Sequence, residues 1–162
     1  MIYAITGHTQ GIGKALFERL SPNVIGFSRS TGYNINSKAD RARIIEESRD
    51  CDVFINNACS SFGQVSMLID LFLEWKDLDK KIINVGSRAA EHALPKKKMH
   101  LLEYSSQKKA LKVIIPDLQG FNCKVDYKWF GYVGTENILK KYPNFSQDDY
   151  ITLKEACDII LS

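Results

Sequence analysis

Residues 2–13 read Ile2-Tyr3-Ala4-Ile5-Thr6-Gly7-His8-Thr9-Gln10-Gly11-Ile12-Gly13, a short apolar run that breaks into a glycine-rich turn and leads into a helical pattern from Lys14. The order of these parts gives the glycines their meaning. A strand delivers the chain to the turn, glycines let the backbone take positive φ and approach a ligand closely, and the free amides and dipole of a helix N-terminus favour an anion there. Gly13, lacking a β-carbon, lets helix and strand pack close together. The same glycines would also make a plain tight connection, so the rest of the chain has to decide between the two.

Working outward, short β-branched runs at 2–5, 24–27, 53–55, 82–85 and 125–130 read as strands. Segments 14–20, 38–49, 65–73 and 105–119 carry apolar residues three and four apart among charges, as surface helices do, and 153–161 adds one more. Alternation of this kind predicts an α/β fold: a doubly wound parallel sheet of the Rossmann type with helices on both faces, in three layers. Pro116 should divide the 105–119 helix, because proline removes a backbone donor and collides with the preceding turn.

The 162 residues suit a single domain, 1–162, with 44% hydrophobic residues for its core. The charge balance, 22 basic against 19 acidic residues, is not the footprint of a nucleic-acid binder. No apolar run is long enough for a membrane span and no leader precedes the first strand, which predicts a cytoplasmic protein. Cys51, Cys59, Cys123 and Cys157 are scattered and His8, His92 and His100 are unpaired, so neither a disulfide framework nor a metal site is expected.

Four further segments follow in order. Asn56-Asn57-Ala58-Cys59 ends the third strand, Ser87 follows the fourth, Tyr104-Ser105-Ser106-Gln107-Lys108 lies in the next helix, and Gly131-Tyr132-Val133-Gly134-Thr135 follows the fifth strand. Taken singly each has a plain explanation: asparagines and serines end strands through local turns, and a tyrosine four residues before a lysine arises by chance. Together, each on its proper element, they resemble the short-chain dehydrogenase/reductase family. They match its T-G-x-x-x-G-x-G turn, its N-N-A-G segment with Cys59 for glycine, its catalytic serine, its Y-x-x-x-K helix and its P-G-x-V-x-T turn with Phe130 for proline. The resemblance runs from Ile2 to about Thr135, and the chain would be a minimal member shortened after that point.

The resemblance implies a nicotinamide dinucleotide held by Gly7, Thr9, Gln10, Gly11, Ile12 and Gly13 at the turn, by Asn34 and Ile35 on the adenine side, by Asn57, Ala58 and Cys59 near the ribose, and by Gly131, Val133 and Thr135 near the nicotinamide. Asn56 would be structural. After the second strand stand Ser28, Arg29 and Ser30, with no carboxylate to bind two free ribose hydroxyls. That favours NADP(H) over NAD(H), since Arg29 and Ser28 suit a 2′-phosphate.

The implied reaction is hydride transfer between nicotinamide and a small carbonyl or alcohol substrate. Tyr104 would move the proton, Lys108 would lower its pKa and hold the ribose, and Ser87 would orient the substrate oxygen. Segment 65–73 lacks the asparagine that many members use for a water-linked proton relay, where Gln64 or Ser66 can substitute, and a long loop with Pro95 and three lysines separates Ser87 from Tyr104. This loop is expected to fold aside, and the short segment after Thr135 to leave an open cleft. Leu68, Leu71, Phe72 and Trp75 offer a face for a homodimer, with a monomer core as the other use. A dinucleotide-binding sensor or scaffold without turnover is the competing function.

Overall fold

The structure is a computed structural model and describes residues 1–162. Five parallel strands form one sheet in the order β2-β1-β3-β4-β5: β1 Tyr3–Thr6, β2 Val24–Phe27, β3 Val53–Asn56, β4 Lys81–Val85 and β5 Lys124–Lys128. The helices are α1 Gly11–Leu20, α2 Lys38–Glu47, α3 Gly63–Trp75, α4 Leu102–Val113, α5 Glu136–Lys141 and α6 Leu153–Leu161.

Period-two alternation along the strands sorts the core into two halves. Ala4, Phe54, Ile82 and Val125 lie in register across four strands and belong to one apolar cluster, with Ile44 of α2, Met67, Leu68, Leu71, Phe72 and Trp75 of α3, and Leu111 of α4. Their neighbours Ile5, Val53, Ile55, Ile83 and Val85 point the other way, onto Leu16 of α1 and Ala156, Cys157 and Ile160 of α6. Helices therefore cover both faces, which is the three-layer doubly wound arrangement. Leaving β1, the chain visits β2 on one side and returns to β3 on the other, so the ends of β1 and β3 open onto the crevice where such sheets bind ligands.

Local chemistry explains the element ends. The Ser37 hydroxyl accepts from the Asp40 amide to start α2, and Thr152 and Glu155 form a reciprocal capping box on α6. Pro116 ends the fourth helix as expected: α4 stops at Val113 and a 3-10 turn, Ile115–Leu118, follows. Beyond β5 the one further pairing is an isolated bridge between Val133 and Ile151, ahead of α6.

The proposed dimer face requires correction. Leu68, Leu71, Phe72 and Trp75 are all buried in the core of this chain, because α3 lies flat on the sheet and turns this side inward. Leu71→Ala should therefore cost about 2–5 kcal/mol, while Leu73→Ala, at a side chain 60% exposed, should stay within about 0.5 kcal/mol. Urea unfolding of the two variants measures the difference, and equal costs would mean that α3 does not bury this face.

Candidate active site

The glycine-rich turn joins β1 to α1, with Gly7 at φ 76° and Gly11 at φ 56°, backbone states that disfavour side chains. Gly13 meets a packing limit instead: a β-carbon there would lie 2.0 Å from the Gly7 carbonyl oxygen. His8 folds under β2, where a β-carbon on Gly26 would strike its ring, and stacks obliquely on Phe17.

Thr6 organises the segment after β3. Its hydroxyl accepts from the amides of Asn57 and Ala58 at 3.1 and 3.0 Å, and its carbonyl accepts from Asn57 Nδ2 at 3.0 Å. No local pattern marks Thr6 for this role, since its partners lie about fifty residues away. Asn56 is structural, donating to Asn84 Oδ1 and to the Gln64 carbonyl oxygen, both at 2.9 Å.

Two cavities flank the segment 57–59. The smaller, about 240 Å³, is walled by Gly7, Thr9, Gln10, Ser28, Arg29, Asn34, Ile35, Asn57, Ala58 and Cys59, together with Phe27, Tyr33 and Ser60. No carboxylate lines it. Thr9, Ser28 and Ser30 form a ring of hydroxyls, with Oγ separations of 3.0, 3.2 and 3.3 Å, that ties the turn to the end of β2. The larger cavity, about 1000 Å³, takes in Ile12, Ser87, Tyr104, Lys108, Gly131, Val133 and Thr135 and shares Asn57 and Cys59 with the first. Gly11 and Gly13 shape the turn without lining either space, while the Thr135 methyl lies 3.5 Å from where a Gly11 β-carbon would stand.

Ser87 caps the 3-10 turn Arg88–Ala90, its hydroxyl accepting from the Ala89 amide at 3.2 Å. Ser105 of α4 donates to the Ala89 carbonyl at 2.8 Å and fastens that turn to the helix carrying Tyr104 and Lys108. Behind the serine, Gly86 leaves room for the Tyr127 ring, whose phenol burial pushes up to about 12. Desolvation raises Tyr104 above its ordinary pKa, and a hydrogen bond from Ser87 opposes that rise.

Lys108 of α4 points into the interior. Its ammonium is buried, donates to Gln64 Oε1 at 2.7 Å and the Val85 carbonyl at 2.9 Å, and lies 5.7 Å from the Tyr104 ring centre. Burial lowers its pKa. Desolvation is the largest influence on the Tyr104 phenol, and Lys108 is not among the groups that shift it.

The loop between Ser87 and Tyr104 runs beside the site and leaves the three side chains on one cavity. His92, Ala93, Leu94, Pro95, Lys98 and Leu101 wall the larger cavity, and Lys96, Lys97 and Lys98 sit in a 3-10 segment, Lys96–Leu101. Opposite them, Tyr142 and residues 148–151 form the other wall, so the short stretch after Thr135 still lines the cleft. The stretch after Thr135 folds around stacked Tyr142 and Phe145, with Tyr132 against both.

The glycine cradle, the carboxylate-free cavity and the hydroxyl ring fit a dinucleotide that carries phosphates, and nothing lining the smaller cavity repels one. No cluster of His, Cys, Asp or Glu is arranged to hold a metal ion, and no helix is long and apolar enough to cross a membrane.

No protein-family model matches the sequence, and no curated protein matches it either. Solved structures do match in shape. A short chain dehydrogenase from Burkholderia cenocepacia, in complex with NADP, has a TM-score of 0.78 at 20% identity over 99% of this chain and 82% of that one. A short-chain dehydrogenase/reductase from Caenorhabditis elegans, with cofactor, gives 0.77 at 19% identity over 99% and 86%. The 3-ketoacyl-(acyl-carrier-protein) reductase of Brucella melitensis, complexed with NADH, gives 0.76 at 16% identity over 97% and 87%. Over nearly its whole length the chain has the fold of the short-chain dehydrogenases/reductases.

Proposed function

We propose that the protein is a short-chain oxidoreductase that uses NADP(H) in preference to NAD(H) and interconverts a small carbonyl compound and its alcohol. The convergence of Ser87, Tyr104 and Lys108 on one cavity that shares Asn57 and Cys59 with a phosphate-suited groove carries this reading. A bound nicotinamide would supply or accept the hydride. Tyr104 delivers the matching proton to the substrate oxygen or removes it, and Ser87, on the wall of the same cavity, steadies that oxygen as charge develops. Lys108 has two of its three N–H donors engaged, which leaves one for a ribose hydroxyl. A bound dinucleotide would be held at its pyrophosphate by the residues matching the family turn, Gly7, Thr9, Gln10, Gly11, Ile12 and Gly13, with Asn34, Ile35, Asn57, Ala58 and Cys59 available to its adenosine half and Gly131, Val133 and Thr135 to its nicotinamide half.

The preference for the phosphorylated cofactor is supported by what stands beyond β2. Arg29 supplies a fixed charge, and the Thr9 and Ser28 hydroxyls, which line the same cavity, can turn a proton toward an anion. Titrating NADPH and NADH into wild type and Arg29→Ala, with fluorescence readout, tests it. The variant should lose about tenfold or more in NADPH affinity and less than about threefold for NADH. Equal losses would remove the 2′-phosphate role. Tight NADPH binding without turnover across a carbonyl panel would favour the sensor or scaffold, and no binding of either dinucleotide would overturn the whole assignment.

A further inference from the structure

Lys108 is the one charged side chain among the buried residues of this chain. A buried ammonium persists only where acceptors replace its water, and here it has two, Gln64 Oε1 and the Val85 carbonyl. Gln64 is itself 2% exposed, and its Nε2 donates to the Asn56 carbonyl at 2.7 Å and to the Val85 carbonyl at 3.0 Å. Those two donations fix the amide in one orientation. Turned over, it would set an NH2 group against the ammonium and an oxygen against two carbonyl oxygens, losing every hydrogen bond at once.

The clamp is anchored on three elements. Asn56 of β3 holds the Gln64 backbone carbonyl and Asn84 of β4 through its side-chain amide, and Asn84 Nδ2 reaches the Asp126 carbonyl of β5 at 3.2 Å. The Val85 carbonyl receives both the Gln64 amide and the Lys108 ammonium, so glutamine and lysine share one strand oxygen as their reference point. Tyr104 lies one helical turn before Lys108 on α4.

We propose that Gln64 is a positioning residue for Lys108: its amide oxygen, locked by two strand carbonyls, holds the ammonium on the floor of the cleft and keeps one N–H free for the reacting partners. The direct amide contact does the holding through the protein itself. For its consequence in turnover this rests on the oxidoreductase reading above; the contact itself does not. The titratable groups facing the ammonium are the Cys59 thiol and the Tyr104 phenol, and no carboxylate is among them. A carboxylate in place of the Gln64 amide would therefore favour the charged lysine, and an apolar side chain would disfavour it.

The test is a lysine-labelled NMR titration of the full chain without cofactor, following the Lys108 Cε signal, assigned with Lys108→Met, in wild type, Gln64→Met and Gln64→Glu. The expected order of the Lys108 titration is Gln64→Glu highest and Gln64→Met lowest, with steps of about one pH unit or more. The same titration pH in all three folded proteins would overturn the proposal. If Gln64→Met fails to fold, Gln64→Glu, which keeps an oxygen before the ammonium, decides alone, and no upward shift counts against it. In enzyme that turns over, the pH profile should move in the same order, which a merely structural glutamine would not produce. Absence of turnover in wild type would defeat the oxidoreductase reading and leave the titration to judge Gln64 by itself.

Discussion

Tyr104→Phe should lower turnover at least a hundredfold while leaving dinucleotide affinity within about threefold. The ring stays, and with it the packing on the cavity wall; only the hydroxyl that moves the proton is lost. Stopped-flow or steady-state rates beside a binding titration separate the two effects, and a variant that keeps more than a tenth of the rate would remove Tyr104 from the chemistry. The pH dependence follows from the direction of its shift. Desolvation holds the phenol above its ordinary value near 10, so it is protonated at neutral pH, the form that can give a proton to a carbonyl oxygen. Reduction should therefore be level through neutral pH and fall only as the phenol ionises. Alcohol oxidation, which needs the phenolate, should rise with pH over the same range. A reduction rate that rises with pH would contradict this role.

Gly13→Val should remove dinucleotide binding and cost more than the ~1–3 kcal/mol usual for an overpacked core position. The added β-carbon would sit 2.0 Å from the Gly7 carbonyl oxygen and 2.7 Å from Asn57 Nδ2, and the obstacle is backbone on one side and a hydrogen-bonded amide on the other. Neither can rotate away. Relief requires α1 to lift from β1, which breaks the turn and the Thr6 contacts together. Thermal unfolding and NADPH titration of the variant measure both losses, and a Tm within about 2 °C of wild type would show that the turn tolerates the change. Gly32→Ala is the control for a glycine with positive φ but open surroundings, where only the backbone cost, about 1–2 kcal/mol, is expected.

Where sequence reading came close, the signal was local. The strands at 24–27, 53–55 and 82–85 match the observed ones to within a residue; the last two are buried runs of β-branched and apolar residues, and the first is a short apolar run on the sheet edge. The 125–130 strand ends two residues early, at Lys128, where the chain turns toward the cleft. Helix α5 went unread since six residues are too few to display a period, and the 3-10 segments at 88–101 have none to display. The face of α3 illustrates a different limit: an apolar stripe looks the same whether it meets a second copy or the sheet of its own chain, and only the packing of Leu68, Leu71, Phe72 and Trp75 on Phe54 and its neighbours decides it.

The sequence by itself determined the order of the five strands and of every helix but α5, the α/β class, and the positions of the glycine turn, Asn57, Ser87, Tyr104 and Lys108 along them, because each is written in patterns a few residues long. The tertiary structure alone decided three other things. It turned the Lys108 ammonium onto Gln64 and Val85, closed the hydroxyl ring of Thr9, Ser28 and Ser30, and bent the loop after Ser87 into the cavity wall. The physical reason is common to all three. Their partners lie far apart in the chain and meet only because the sheet runs β2-β1-β3-β4-β5, and where a buried charge or hydroxyl finds its acceptor depends on that assembly, which no local pattern encodes.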